Sequence, residues 1–174
     1  MNEKHQKLMN EFTERINSSY HEMFLELANH AVSLGYSPIR NKTKDFSIDF
    51  RNNKLKRTIM KMEEKEQKHD GYQYGERDIP GLRLKYFASI DYSDIFKQGI
   101  RNVIEEFEGR YTGCYGCGRC KGKLQGYTYI YSDDRKVFRC GSELISVYNF
   151  TYNNIKEMKE LMTNQANYYA SSNP

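Results

Sequence analysis

The four cysteines of this 174-residue chain lie within one short stretch. Cys114, Cys117 and Cys120 follow C-x2-C-x2-C spacing, and Cys140 comes 20 residues later. Tight C-x2-C turns let two thiolates face one ion, and four thiolates in a tetrahedral arrangement select zinc, usually as a closed structural site. The spacing therefore predicts a metal site with all four cysteines as ligands, in a module at about residues 110–141.

A β-hairpin is needed to bring Cys140 back to the other thiols. Two β-type runs occupy most of residues 127–140, with a polar Ser-Asp-Asp sequence between them. If Asp133 and Asp134 form a two-residue turn, Tyr127 pairs with Cys140 and the fourth thiol returns to the start of the hairpin. A zinc ion bound there would supply about 10–16 kcal/mol of apparent binding free energy that is also folding free energy.

Three other states of the cysteines stay open. An iron–sulfur cluster also uses C-x2-C-x2-C, although the usual ferredoxin run places its fourth cysteine three residues later and before a proline. An even number of cysteines is also compatible with disulfides or a redox pair, but the expected secretory segment and βαβ pattern are missing. Ordinary free thiols are the simplest alternative.

Nothing in the chain predicts catalytic residues. A catalytic zinc keeps one position open, whereas a fourth thiol is available here to close the site. The H-x-E partner of a zinc deaminase is also missing, because no histidine lies near the cysteines; the four are His5, His21, His30 and His69. The sequence therefore favours a binding or regulatory module over an enzyme, with an iron–sulfur or open-site metalloenzyme as the alternative.

The hairpin also suggests a nucleic-acid or small-molecule surface. In the pairing above, its tyrosines share one face with Phe138 and Cys140, and aromatic patches can stack on bases. Residues 110–140 also carry a net charge of +5. The same tyrosines are equally suited to packing under a helix, and we favour that interpretation. The predicted ligand-binding residues are Lys121, Tyr127, Tyr129, Tyr131, Lys136 and Arg139.

The bulk composition is that of a polar, folded chain. It is 38% hydrophobic and 29% charged, and its aromatic content of 14% is too high for a disordered protein. No apolar run approaches the roughly 18 residues that a transmembrane helix needs, and the N-terminus has no hydrophobic signal core. We therefore expect a cytoplasmic protein without membrane contact, a compartment that also keeps thiols reduced.

Hydrophobic periodicity predicts one α+β domain over residues 1–174. Apolar residues recur every three or four positions in three segments, and alternate in several shorter ones. Short connections favour a mostly antiparallel sheet with helices packed on it. The predicted helices span 8–34 (with a possible break at 17–19), 93–107 and 155–169, and the predicted strands span 46–50, 55–62, 82–88, 127–131, 135–140 and 143–148.

The run CGRCKGKLQGYTYIYSDDRKVFRCG, residues 117–141, resembles the signature of a family of small, functionally uncharacterised bacterial α/β proteins. Those proteins place a cysteine knuckle before a tyrosine-rich hairpin, and the resemblance covers about residues 110–170. It implies a metal-bearing α/β domain and no particular activity. Separately, Cys114-x2-Cys117-Gly118 is similar to half of a zinc knuckle, although knuckles normally contain two C-x2-C pairs.

Overall fold

The largest element of the fold is a five-stranded antiparallel sheet. The structure is a computed structural model that describes residues 1–65, 79–110, 112–118, 120 and 123–172. The strands of the sheet are β1 (Ser37–Arg40), β2 (Ser47–Asn52), β3 (Arg57–Glu63), β4 (Gly81–Leu84) and β7 (Ile145–Ser146). They lie in the order β1-β2-β3-β4-β7, so the first four form a meander and β7 adds to its far side.

Side-chain alternation gives this sheet one apolar face. Ile48 pairs with Met62 across β2 and β3, and Phe50 pairs with Met60; all four side chains are fully buried. The residues between them point to the other face and include Lys61, which forms an ion pair with a neighbouring glutamate. Period-two alternation of this kind is the pattern that the sequence showed in β2.

Helices cover the apolar face. They are α1 (Glu3–Thr13), α2 (His21–Ser33), α3 (Asp94–Glu105) and α4 (Ile155–Ser171). The predicted break in the first long helix is confirmed, because Asn17 accepts a hydrogen bond from the Ser19 N–H and opens a single 3-10 turn before α2. Phe12 of α1 and Phe24 of α2 then meet in the core with their ring centroids 5.4 Å apart.

Strand β1 is an element that the sequence did not predict. Gly35 ends α2 in the left-handed region with φ +84°, as predicted for a glycine after a helix. Pro38 comes three positions after Gly35 and lies in β1. Among the described strands, β1 pairs only with β2. A proline is tolerated on such an edge strand because it has no N–H to donate to the sheet.

Gly99 lets α3 pack closely against the sheet. A Cβ at this position would lie 2.8 Å from the Ser146 carbonyl oxygen and 2.9 Å from Ile145 Cγ2. The absence of a side chain at Gly99 is what permits this approach. At its N-terminus, the Ser93 N–H donates to a carboxylate oxygen of Glu157 in α4 at 2.6 Å, so α4 supplies the cap of α3.

A short 3-10 turn precedes α4. The sequence Asn-Ile-Lys-Glu at 154–157 resembles a capping box, but the box of the structure lies one turn earlier, between Thr151 and Asn154. The Thr151 N–H donates to Asn154 Oδ1 at 2.9 Å. Glu157 instead accepts the hydrogen bond from the Ser93 N–H at the start of α3.

The hairpin forms a separate two-stranded sheet, with a register one residue away from the prediction. Its strands are β5 (Gly126–Ile130) and β6 (Lys136–Cys140), and Cys140 pairs with Gly126 instead of Tyr127. The reason is the turn: the Tyr131 N–H donates to the Arg135 carbonyl at 3.0 Å, which leaves a three-residue loop. Its last residue, Asp134, has φ +61°, as expected where a three-residue loop ends in the left-handed region.

These elements make an α+β fold with a mostly antiparallel sheet and helices packed on it, as predicted. The buried core contains residues from all four helices, from the main sheet and from β5. Within the described part of the chain, no helix is both long enough and apolar enough to cross a membrane.

Candidate metal centre

The cysteine loop is attached to the hairpin at both ends. Cys140 is the last residue of β6 and is buried with 1% exposure. The Gly113 N–H donates to the Phe138 carbonyl at 2.7 Å, in an isolated parallel bridge along the outer side of β6. Because Cys114 follows Gly113 directly, the first thiol of the loop starts beside the strand that ends in the fourth thiol.

Three thiols line one small cavity. Cys117, Cys120 and Cys140 contribute to its wall, together with the aromatic side chains of Phe87 and Tyr169. Its volume is about 20 Å³, and roughly 10–15 Å³ is needed for one water-sized probe. The Cys117 thiol is also within hydrogen-bonding contact of Cys140. A space of this size admits one water-sized species.

Backbone N–H groups point at the sulfur atoms. The Gly116 N–H donates to Cys114 Sγ at 3.4 Å, and the Gln125 N–H donates to Cys120 Sγ at 3.4 Å. Both contacts hold a sulfur atom against the backbone of the loop.

Cys140 has the richest set of donors. Burial raises the pKa of its thiol, but hydrogen bonds from the Ser142 hydroxyl, from the Tyr115 and Ser142 N–H groups and from Cys117 outweigh burial. The pKa of Cys140 is therefore lowered from its ordinary value. A buried thiol whose pKa is nevertheless lowered suits a metal ligand, because a thiol must lose its proton to bind the ion.

Two basic residues also line the cavity. Arg57 and Lys85 lie beside the sulfurs, and Lys85 Nζ donates to the Ser142 carbonyl at 3.0 Å. Positive charge at this wall would offset the net negative charge of a zinc ion bound by four thiolates. Sequence reasoning missed both residues, because Lys85 sits in a predicted strand with no sign that it faces the cysteines. Ser142, two residues after Cys140, had a local signal in the C-G-S sequence.

The remaining thiol, that of Cys114, is exposed and does not line this cavity, although Cys114 is only three residues from Cys117. Across the described residues, no three or more His, Cys, Asp or Glu side chains form a group that could hold a metal ion as they stand. The arrangement brings three sulfurs to one cavity without forming a finished coordination shell.

The tyrosine face of the hairpin is turned inward. With the observed register, Tyr127 pairs with Arg139 and Tyr129 pairs with Val137, so Phe138 and Cys140 lie on the opposite face from the tyrosines. The prediction that they share a face was wrong, because a shift of one residue exchanges the faces of a strand relative to its partner. Tyr127 is only 2% exposed.

The ring of Tyr127 packs against two aromatic rings of the core. Its centroid lies 5.3 Å from that of Tyr86 and 5.9 Å from that of Phe87, both in edge-to-face geometry. Its hydroxyl donates to the Glu143 carbonyl at 3.4 Å, and burial raises its pKa well above the ordinary value. This tyrosine is a packing residue, which is the interpretation that the sequence favoured.

Arg139 is also buried. It is 4% exposed, and its guanidinium lies 3.8 Å from Glu106 Oε2 and 3.7 Å from Glu143 Oε1. The guanidinium carbon also lies 5.2 Å from the centroid of the Tyr115 ring. An arginine placed between two carboxylates and an aromatic ring holds the loop and the hairpin together, and it presents no open surface to a phosphate.

The remaining predicted ligand-binding residues do not share one surface. Tyr131 is half-buried, with the guanidinium carbon of Arg135 4.0 Å from its ring centroid, and its hydroxyl donates to Glu105 Oε1 at 3.1 Å. Tyr129 is half-buried beside it, whereas Lys136 is exposed on the other face of the hairpin. Lys121 lies outside the described residues.

Comparisons of the chain with protein-family models, with curated proteins and with solved structures gave no match. The resemblance of residues 110–170 to small bacterial proteins stays a prediction. The chemistry of the site thus rests on its own residues: three sulfur atoms and two cations line one cavity, and backbone N–H groups donate to the sulfurs of Cys114 and Cys120.

Proposed function

We propose that the four cysteines hold one structural zinc ion, and that the protein is a metal-stabilised binding or regulatory module in the reducing cytoplasm. The observation that carries this proposal is the position of Cys140: it ends β6 in hydrogen-bonding contact with Cys117, on a cavity that Cys120 also lines. Zinc suits such a site because thiolates are its preferred structural ligands.

Cys114 is the proposed fourth ligand. Its loop contains three glycines with positive φ, namely Gly113 at +86°, Gly116 at +63° and Gly118 at +69°, and a Cβ on any of them would meet nothing within 4 Å. Glycines reach such backbone conformations at little cost, and the space around them leaves room for the loop to adjust. A metal ion in the cavity would draw Cys114 inward and close the shell.

The experiment is a zinc analysis of protein purified under reducing conditions, with single cysteine variants. We expect about one equivalent of zinc per chain, and Cys140→Ser should lose most of it because a buried ligand is removed. Cys114→Ser should weaken zinc binding less, because the three thiols on the cavity would remain. Thr128→Ser, an exposed position on the same hairpin, is the matched control and should bind zinc like the unmodified protein.

Three outcomes count against the proposal. Less than about half an equivalent of zinc in every preparation would remove the structural site. A brown sample with visible absorbance after anaerobic purification would replace zinc with an iron–sulfur cluster. Equal zinc content in Cys140→Ser and the unmodified protein would show that the metal is bound elsewhere.

A further inference from the structure

The outer edge of β5 presents backbone groups that no described strand pairs with. Residues of an antiparallel pair alternate between those that bond to the partner strand and those that point away from it. Gly141 donates to the Gln125 carbonyl at 2.8 Å and Tyr131 donates to the Arg135 carbonyl at 3.0 Å. Gln125 and Tyr131 therefore face β6, and by alternation the N–H and C=O groups of Gly126, Thr128 and Ile130 point outward.

The other edge of the hairpin confirms this alternation. Phe138 pairs with Thr128 and so belongs to the outward-pointing set of β6. Its carbonyl accepts the hydrogen bond from Gly113, outside the hairpin. The β6 edge is thus occupied by the cysteine loop, whereas β5 pairs with no strand other than β6 in the described part of the chain.

The sequence of β5 contains none of the residues that usually protect an edge. Its sequence is Gly-Tyr-Thr-Tyr-Ile, without charge, proline or bulge. Thr128 and Ile130 are exposed, and Ile130 leaves 55% of its surface open. Proteins normally prevent an open edge from pairing with another chain by placing Lys, Pro or a bulge there.

We propose that β5 pairs with β5 of a second copy of this chain, antiparallel about a two-fold axis at Thr128. In this arrangement Thr128 bonds to Thr128 of the second copy, and Gly126 bonds to its Ile130. The two hairpins then form one four-stranded sheet in the order β6-β5-β5-β6. A threonine pair directly across two strands is itself a favourable contact.

Charges that flank β5 favour this register. Lys123 precedes the strand by three residues and Asp133 lies in the loop that follows it, and both side chains are exposed. With the axis at Thr128, a register continued beyond the strand ends would bring Lys123 of one copy opposite Asp133 of the other, and the same pair would form at the other end. A neighbouring alignment of the same outward groups, with its axis at Tyr129, would bring Lys123 opposite Arg135. Opposite charges across a strand pair stabilise it and like charges oppose it.

In the proposed dimer, the exposed Ile130 of the second copy lies opposite Gly126. A Cβ at Gly126 would come within 2.6 Å of Phe138 Cζ, so the phenylalanine ring lies over the glycine. Ile130 of the second copy, placed opposite Gly126, would cover the edge of that ring. The apolar surface that Ile130 and Phe138 leave open on the outer face would be buried by the same contact.

The dimer is expected to be weak, because a five-residue edge buries far less than the roughly 1,200–2,000 Å² of a standard stable interface. Sedimentation equilibrium of the full chain, with zinc and a non-thiol reductant, should show reversible dimerisation between about 10 μM and 500 μM. Thr128→Pro should abolish it, because it removes an outward N–H without removing a bond to β6. The fold of this variant is checked by circular dichroism.

Charge reversal tests the register. Lys123→Glu should weaken dimerisation at least tenfold, because it places like charges at both ends of the paired strands, and adding Asp133→Lys should restore it. Lys136→Glu makes the same charge change on β6, one strand away from the contact, and should leave dimerisation unchanged within about twofold.

Three results would overturn the proposal. A chain that stays monomeric over the whole concentration range has no such pairing. A dimer that persists in Thr128→Pro uses another surface, for example one in which Cys114 of each copy binds a shared metal ion. A dimer that Lys123→Glu strengthens has the Tyr129 axis, in which the new glutamate meets Arg135. None of these results bears on whether the purified chain contains zinc, so the metal proposal is tested separately.

Discussion

His30 is a half-buried histidine at the groove between α2 and α4. Its Nε2 lies 3.0 Å from the Lys159 carbonyl oxygen and 3.0 Å from Thr163 Oγ1. A carbonyl oxygen only accepts, so Nε2 carries the proton and the ring is held as one tautomer. Burial lowers the pKa of His30 and outweighs the hydrogen bond to Lys159, which raises it.

This lowered pKa predicts a loss of stability in weak acid. Below the ordinary histidine pKa of 6.5 the unfolded chain binds a proton that folded His30 resists, so the free energy of unfolding falls as the pH falls. His30→Gln keeps a donor for the Lys159 carbonyl and should lose less stability than the unmodified protein between about pH 7.5 and pH 5. Urea unfolding at both pH values is the measurement.

Asn29→Ala is the control for this change, since Asn29 is an exposed neighbour in the same groove. It should keep the pH dependence of the unmodified protein. If His30→Gln also lost as much stability in acid as the unmodified protein, His30 would not be the group responsible.

Residue types around the cysteines were predictable only in part. The spacing of Cys114, Cys117 and Cys120 identified these thiols as candidate metal ligands, because local turn geometry determines which thiols can face one ion. The two cations at the cavity were not predictable, since Lys85 follows β4, far from the cysteines in sequence, and the direction of its side chain depends on the packed fold. The burial of Arg139 had the same origin, because its ion-pair partners lie on separate segments.

At the scale of elements, periodicity predicted most helices and strands. It missed strand β1 and the register of the hairpin, and the register depends on the turn. Two adjacent aspartates are compatible with either a two-residue or a three-residue loop, so the sequence left the register undetermined. The structure takes the longer loop, which places Tyr127 against Tyr86 and Phe87 in the core. Local propensity gives no information about that tertiary contact.

Glu157 of α4 caps the N-terminus of α3, and this contact predicts a measurable effect on the free energy of unfolding. Glu157 accepts from the Ser93 N–H at 2.6 Å and from the Ser93 hydroxyl at 2.7 Å. Glu157→Ala should lower the free energy of unfolding by about 1 kcal/mol, because a first-turn N–H loses its acceptor. The measurement is the urea midpoint at unchanged slope.

Glu160→Ala is the matched control on the same helix. Glu160 is exposed and lines the same groove as Glu157. Its removal should change stability by less than about 0.5 kcal/mol. Equal losses in the two variants would mean that charge on α4, rather than the cap, accounts for the effect.

At the scale of the whole molecule, the fold has a large core and a smaller cysteine end. The core packs four helices on the main sheet, whereas the cysteine loop is largely exposed and is rich in glycine. Tyr127 and Arg139 connect the hairpin to the rest of the molecule. A metal ion at the cysteines would therefore stabilise one end of the fold and have little influence on the main sheet.

Removal of the metal by a chelator tests this division. We expect amide protection to fall in residues 113–118 and in β5 and β6, because zinc binding free energy is local folding free energy. Amides of β2 and β3 should keep their protection, since their side chains are buried in the core. Hydrogen exchange with and without chelator is the measurement, and unchanged protection at the hairpin would contradict the expectation.

The coordination of the bound metal tests the central proposal most directly. X-ray absorption at the zinc edge of the purified protein should show four sulfur neighbours at about 2.3 Å and no nitrogen or oxygen ligand. Cys114→Ser should reduce that number to three, and the shell should gain a lighter neighbour. A shell with two sulfurs or fewer in the unmodified protein would contradict the proposal that Cys114, Cys117, Cys120 and Cys140 together bind one ion.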